Sequence, residues 1–142
     1  MVFPSNWQEL VHNIDEHNHS EQQVAPLAAA PVTITAGGGA WALGAFSNDI
    51  IAAGAEVYPF DLHWIDINGP SANADYVIEL YWGAADTLAC RCCFTRLNVT
   101  DRSFINPLQT RIIPAGSRIR GKLMASAGGS SCSVKIFYHH YR

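Results

Sequence analysis

The groups in this chain that could do chemistry are six histidines, four cysteines and twelve acidic side chains. A metal centre on a strand needs two or three imidazoles on one face with a carboxylate beside them. His139 and His140 are neighbours, so a strand sends them to opposite sides. Asp61 and His63 stand two apart and share a face, but a pair without a third partner makes no metal site. His12, His17 and His19 lie near the N-terminus and would have to meet across an oligomer axis to act together. No metal ligand and no cofactor is therefore expected. Cys90 and Cys92 share a strand face and Cys93 points away, with Cys132 far along the chain. That spacing lacks the CxxC knuckle that wraps zinc and reads as reduced thiols, mostly small core residues.

Catalysis finds no better footing. There is no G-x-S-x-G elbow to present a serine, and Gly37-Gly38-Gly39 precedes a strand pattern, not the helix N-terminus of a phosphate cradle. The carboxylates Asp61, Asp66, Asp75, Glu79, Asp86 and Asp101 are scattered, half of them at strand ends or turns where Asp is common. The expectation is a protein with no catalytic residues, not an enzyme. Trp41, Trp64, Trp82, Tyr58, Tyr76 and Tyr81 would suit a sugar-stacking platform, yet a β-sandwich needs such rings to fill the space between its sheets. The most position-specific polar feature is a basic row: Arg118, Arg120 and Lys122 alternate along one strand face, with Arg111 nearby. Three like charges two residues apart repel, so the row predicts carboxylates opposite it, supplied by another subunit.

The chain is 49% hydrophobic and 15% charged, against about 25% charged in typical soluble domains. Much of its surface must be Ala, Gly, Ser, Thr and Asn, which desolvates cheaply and suits permanent packing against protein. A net charge of -3 argues against nucleic acid. No apolar run approaches the roughly 20 residues of a spanning helix. Met1-Val2-Phe3-Pro4 shows neither a basic nor an apolar leader region, which predicts synthesis in a cytosol and makes Asn18-His19-Ser20 and Asn98-Val99-Thr100 chance sequons.

The elements that must position these groups fall into two parts. Residues 1–31 read as an arm. Trp7, Leu10, Val11 and Ile14 form the stripe of a short amphipathic helix over about 5–16, with Ser5 and Gln8 as a capping box. A helix that short is marginal alone, so these four residues are expected to anchor on a partner. A polar stretch and the two-proline segment Ala25–Pro31 then read as an extended linker. From residue 32 to 142 the period becomes 2. Strands are expected at roughly 32–36, 40–46, 55–67, 75–83, 88–96, 108–113, 117–125 and 132–141, separated by Gly, Pro and Asn-rich turns. Tyr58, Phe60, Leu62 and Trp64 are expected on one face, as are Tyr76, Ile78, Leu80 and Trp82. Eight short strands without intervening helices predict an all-β antiparallel β-sandwich, an eight-stranded jelly roll by its strand count.

The segments Ala40–Phe46, Phe94–Arg96, Pro107–Thr110, Ile112–Ile119, Lys122–Ser126 and Val134–Tyr141 resemble small virion proteins of tailed bacteriophages, over roughly residues 32–141. The resemblance implies a β-sandwich subunit on the outside of a phage particle, most simply a capsid decoration or cement protein assembled in the host bacterial cytoplasm. It implies a homo-oligomer, a trimer ahead of a dimer, bound to the major capsid protein or another virion protein. A tail, collar or fibre-base protein with a carbohydrate- or receptor-binding sandwich is the alternative. The resemblance carries no catalytic residues, and the arm lies outside it.

Overall fold

In the computed structural model, residues 22–26, 30–98 and 103–141 are described. The expected helix over 5–16 and its anchors Trp7, Leu10, Val11 and Ile14 lie outside them. Eight strands follow: β1 (Gln23–Ala25), β2 (Val32–Thr35), β3 (Phe60–Asn68), β4 (Ala74–Trp82), β5 (Thr87–Arg96), β6 (Ser103–Pro107), β7 (Ile119–Ala125) and β8 (Ser131–His140). They form two antiparallel sheets. In the larger, β8 takes β1 and β2 on one side and β3 on the other, and β6 closes the far edge; the smaller runs β5-β4-β7. The described residues contain no helix.

The two sheets close on one apolar core. Phe60, Leu62, Ile65 and Ile67 from β3 and Val134, Ile136 and Tyr138 from β8 meet Tyr76, Ile78 and Leu80 from β4 and Leu123 from β7. Alternation in β8 runs as expected, with Val134, Ile136 and Tyr138 inward and Lys135 and Phe137 on the other side. The inward column ends in a polar group: Glu56 accepts from the Tyr138 hydroxyl and lies 2.5 Å from His140 Nε2. Cys92 and Cys132 are buried in the core, Cys93 is exposed, and all four thiols are free. Burial pushes the Cys90 and Cys132 thiols up to about 12, which leaves them unreactive.

Four readings of the strands change. Residues 40–46 are not a strand. The chain from 41 to 50 runs along the free edge of β7, bonding Trp41 N to Ala125 O, Gly44 N to Leu123 O, Ser47 N to Gly121 O and Ile50 N to Ile119 O. It advances three residues for every two of β7, so it borders the sheet without forming a ladder. The expected strand at 108–113 is replaced by β6, which ends at Pro107, a residue with no N–H to continue the ladder. Ile113 touches the sheet again only as a bridge to Phe60. The strand expected from 55 begins at Phe60. Finally, Gln23–Ala25, inside the stretch read as linker, pairs with Tyr138, Phe137 and Ile136. Extended backbone was the right conformation there, but it lies in the sheet.

Candidate functional site

A β-bulge in β3 organises the outer face of the larger sheet. Leu62 pairs with Tyr138 and Trp64 with Phe137, so His63 is the extra residue. Two consecutive side chains of a bulge can point to the same side. The expected common face of Phe60, Leu62 and Trp64 therefore breaks: Phe60 and Leu62 are fully buried, whereas Trp64 is 42% exposed and Ile65 takes the inward place. His63 stays on the side of Asp61, two residues before it.

On that side the antiparallel register sets Asp61 directly opposite His139. His63 Nε2 lies 3.0 Å from Asp61 Oδ1, and the His63 and His139 rings are 3.9 Å apart between centroids at 63°. The Tyr141 hydroxyl donates to Asp61 Oδ2 at 2.9 Å. Asp61 and His139 are buried. The chain after β6 walls this group: Leu108 N donates to the His63 carbonyl at 2.7 Å, and Leu62 N donates to Thr110 Oγ1 at 3.0 Å. Between the walls lies a cavity of about 540 Å3, lined in part by Asp61, His63, Gln109, Thr110 and Tyr141. Sequence reasoning stopped at Asp61 and His63 for want of a third group. His139 supplies it through the β3–β8 register. The alternations Asp61-x-His63 and His139-x-Tyr141 are the signal that a known pairing would have made readable.

At the other end of the bulge, Trp64, Ile105 and Phe137 line an apolar hollow, and Gln22 forms its rim. Ile105 is 65% exposed. Large apolar side chains from three strands therefore gather on this outer face, Trp64 and Ile105 of them exposed.

The basic row lies on the smaller sheet. Arg118 and Arg120 both reach Asp86, Arg118 Nη2 at 3.3 Å from Oδ1 and Arg120 through a two-pronged contact, Nε to Oδ1 at 2.7 Å and Nη2 to Oδ2. Arg118 Nε also donates to the Gly83 carbonyl. Asp86 closes the β4–β5 turn with a positive φ of 52°. The Arg120 hydrogen bond holds its carboxyl below the ordinary value of 3.8. Lys122 Nζ and Arg120 Cζ both sit over the Phe46 ring, at 4.2 and 3.8 Å from its centre, an arrangement that attracts cations to the ring face. The row thus has a carboxylate and an aromatic within its own chain, which sequence reasoning sought on another subunit. Arg118→Ala with Arg120→Ala is expected to lower the melting temperature of the isolated chain and to speed amide exchange around residues 83–87. Unchanged melting would mean that the pair with Asp86 does not hold the turn, and would leave the row's purpose to a neighbouring subunit.

No family model matches this chain, and no curated protein matches it. Among solved structures it is similar to a chain in the structure of infectious bursal disease virus Gt strain, at 11% identity and a TM-score of 0.43 over 85% of this chain. It is also similar to a chain in the crystal structure of the T13 particle of the same virus, at 14% identity and a TM-score of 0.44 over 85% of this chain, and to one in the Gx strain structure, at 14% and 0.38. This chain spans about a third of the length of those viral chains, 31% to 32%.

Proposed function

We propose that this chain is a virion structural protein, a non-enzymatic β-sandwich that packs as a homo-oligomer against the major capsid protein or another virion protein, with capsid decoration as its place in the particle. The observation that carries the reading is the apolar hollow of Trp64, Ile105 and Phe137. Gln22, which joins residues 1–21 to β1, lines that hollow, so the N-terminal segment is attached where an apolar partner is wanted. Trp7, Leu10, Val11 and Ile14 of a neighbouring copy are the proposed occupants. Arm exchange would link copies through many weak contacts. Lys122 and the outer edges of Arg118 and Arg120 are proposed to meet that copy as well.

The strand order supports reading the sandwich as a jelly roll. β2-β8-β3-β6 faces β7-β4-β5, and the 41–50 segment borders β7 where a jelly roll has its remaining strand. The experiment for the function is to purify the parent particles and count copies of this chain by gel densitometry. Hundreds per particle fit capsid decoration, a few or a few dozen fit a tail or collar, and absence from particles overturns the proposal.

The surface makes its own prediction. Trp64→Thr with Ile105→Thr keeps strand-compatible residues at two exposed positions, so melting should stay within a few degrees. Self-association, read by light scattering, and incorporation into particles should both be lost. Removal of residues 1–21, which leaves β1 in place, should have the same effect. Normal assembly by the double variant would take the hollow out of the interface.

The cavity beside the bulge favours a second reading, a carbohydrate-binding tail module. Gln109, Thr110 and Asp61 supply polar groups there and Trp64 an exposed ring close by in sequence. A glycan array with the intact chain decides it, a Trp64-dependent signal being the supporting result.

A further inference from the structure

We propose that Asp61, His63 and His139 bind a divalent transition-metal ion, zinc by the chemistry of the donors, at the floor of the cavity beside the β3 bulge. The inference does not depend on the virion reading. Two imidazoles with one carboxylate suit zinc and its first-row neighbours, whereas magnesium and calcium favour all-oxygen sets. The one ligand atom offered by each residue lies within 4.8 Å of those of the other two. Ligands on a tetrahedral zinc, with bonds of about 2.0–2.1 Å, sit about 3.3 Å from one another. Asp61 Oδ1 and His63 Nε2, 3.0 Å apart, are already at that spacing. The His139 ring adjoins them, its centre 3.9 Å from that of His63 and its ligand atom within 4.8 Å of theirs.

Three features separate this group from an accidental cluster. Its ligands come from two paired strands of the larger sheet, with the Asp61–His139 pairing fixed by the ladder and His63 held by the bulge. A metal ligand on rigid strands loses little freedom when it binds. The Tyr141 hydroxyl bonds Asp61 Oδ2, which orients the carboxylate and leaves Oδ1 toward the imidazoles, the outer-shell support that metal-binding carboxylates receive. The cavity of about 540 Å3 opens on the same side. A fourth position filled by water is thereby available, as in zinc sites with three protein ligands. With no ion, the same residues form a packed ion-pair and ring cluster, and the test separates the two.

The full chain, stripped with chelator and dialysed, is titrated with zinc chloride by calorimetry and followed by thermal melting. One equivalent is expected to bind with a dissociation constant in the micromolar range or below and to raise the melting temperature. His63→Gln, His139→Gln and Asp61→Asn should each weaken binding by more than tenfold. Tyr141→Phe, which keeps the ring, should weaken it by about 10–100-fold. Replacing His12, His17 and His19 together by Ala should change nothing, which excludes capture by the arm. Should His139→Gln fail to fold, the unmodified protein still answers: zinc should protect His63 and His139 from diethylpyrocarbonate, mapped by mass spectrometry. The proposal is overturned by a flat titration, by binding that persists in the folded ligand variants, by loss of binding with the arm histidines, or by unprotected His63 and His139.

Discussion

Gly44→Ala is expected to destabilise the fold by about 3 kcal/mol or more, read as a fall in the urea midpoint without change of slope. Gly44 lies where the 41–50 segment passes the end of β2. A Cβ at this position would fall inside the van der Waals shell of the Thr35 carbonyl oxygen and press on the Ala36 carbonyl carbon. Both are backbone atoms and neither can swing aside. Thr35 is paired with Ser131, Ala36 N donates to Ser130 O at 2.8 Å, and Ala36 bridges to Leu123. Gly44 itself is tied to β7 by its N–H to Leu123 O. Relief requires moving the segment off β7, which would break bonds along its length. Gly38→Ala is the control: a Cβ there meets nothing within 4 Å, so that variant should stay within about 0.5 kcal/mol of the parent. Gly121→Ala falls between them, because its nearest contact, at 2.6 Å, is the Cδ1 methyl of Ile34, the movable end of a side chain. Equal midpoints for the Gly44 and Gly38 variants would mean that the segment does not pack this closely.

The same segment shows where a sequence stops informing. Alternating patterns mark ladders that advance residue for residue, and β4, β5, β7 and β8 were legible for that reason. The 41–50 chain advances three residues for two of β7, so the strand read at 40–46 from its residue types forms no ladder. The bulge at His63 failed similarly. Reading on through Phe60, Leu62 and Trp64 put the tryptophan in the core, because one inserted residue reverses every face after it. At β1 the prolines signalled extended backbone correctly, but whether such a segment lies in a sheet depends on a partner edge more than a hundred residues away, at Ile136–Tyr138.

The candidate site divides along the same line. Asp61 and His63 were visible as a pair because two residues on one strand share a face. His139 and Tyr141 joined them only through β3–β8 pairing. The basic row was placed on one face from its spacing. Its carboxylate, Asp86, sits in the β4–β5 turn, and what was missing was that β4 lies beside β7. Local chemistry was readable in each case, and the long-range pairing that assembles it was not.

Acid should unfold this protein through Glu79 as much as through any one group. Glu79 lies on the outer face of β4, only 3% exposed, with Arg91 opposite on β5 and Lys122 opposite on β7. Burial alone would raise its carboxyl. The Tyr81 hydroxyl and Arg91, whose Nε is 2.7 Å from Oε1, donate to it and together with the Lys122 charge outweigh burial, holding it below the ordinary 4.5. The same contact, with burial first, pushes the Tyr81 phenol up to about 12. A carboxyl depressed in the folded state stabilises the fold above its unfolded value, near 4.5, and that stabilisation is lost as pH falls through the folded value. Asp86 acts in the same direction from its own ordinary value of 3.8. Stability should therefore be level near neutrality and fall below about pH 4.5. Glu79→Gln keeps the shape and the acceptor for Tyr81 but removes the charge. Arg91 reaches solvent, its side chain 60% exposed, so losing its partner costs little, and the variant should lose about 1–2 kcal/mol at pH 7. The loss should shrink as the pH is lowered, with the two curves converging once Glu79 is protonated in the parent. Urea midpoints of parent and variant across a pH series measure this directly. Curves that stay parallel down to the acid limb would mean that Glu79 takes up its proton equally in the folded and unfolded chains, and would move the acid sensitivity to Asp86.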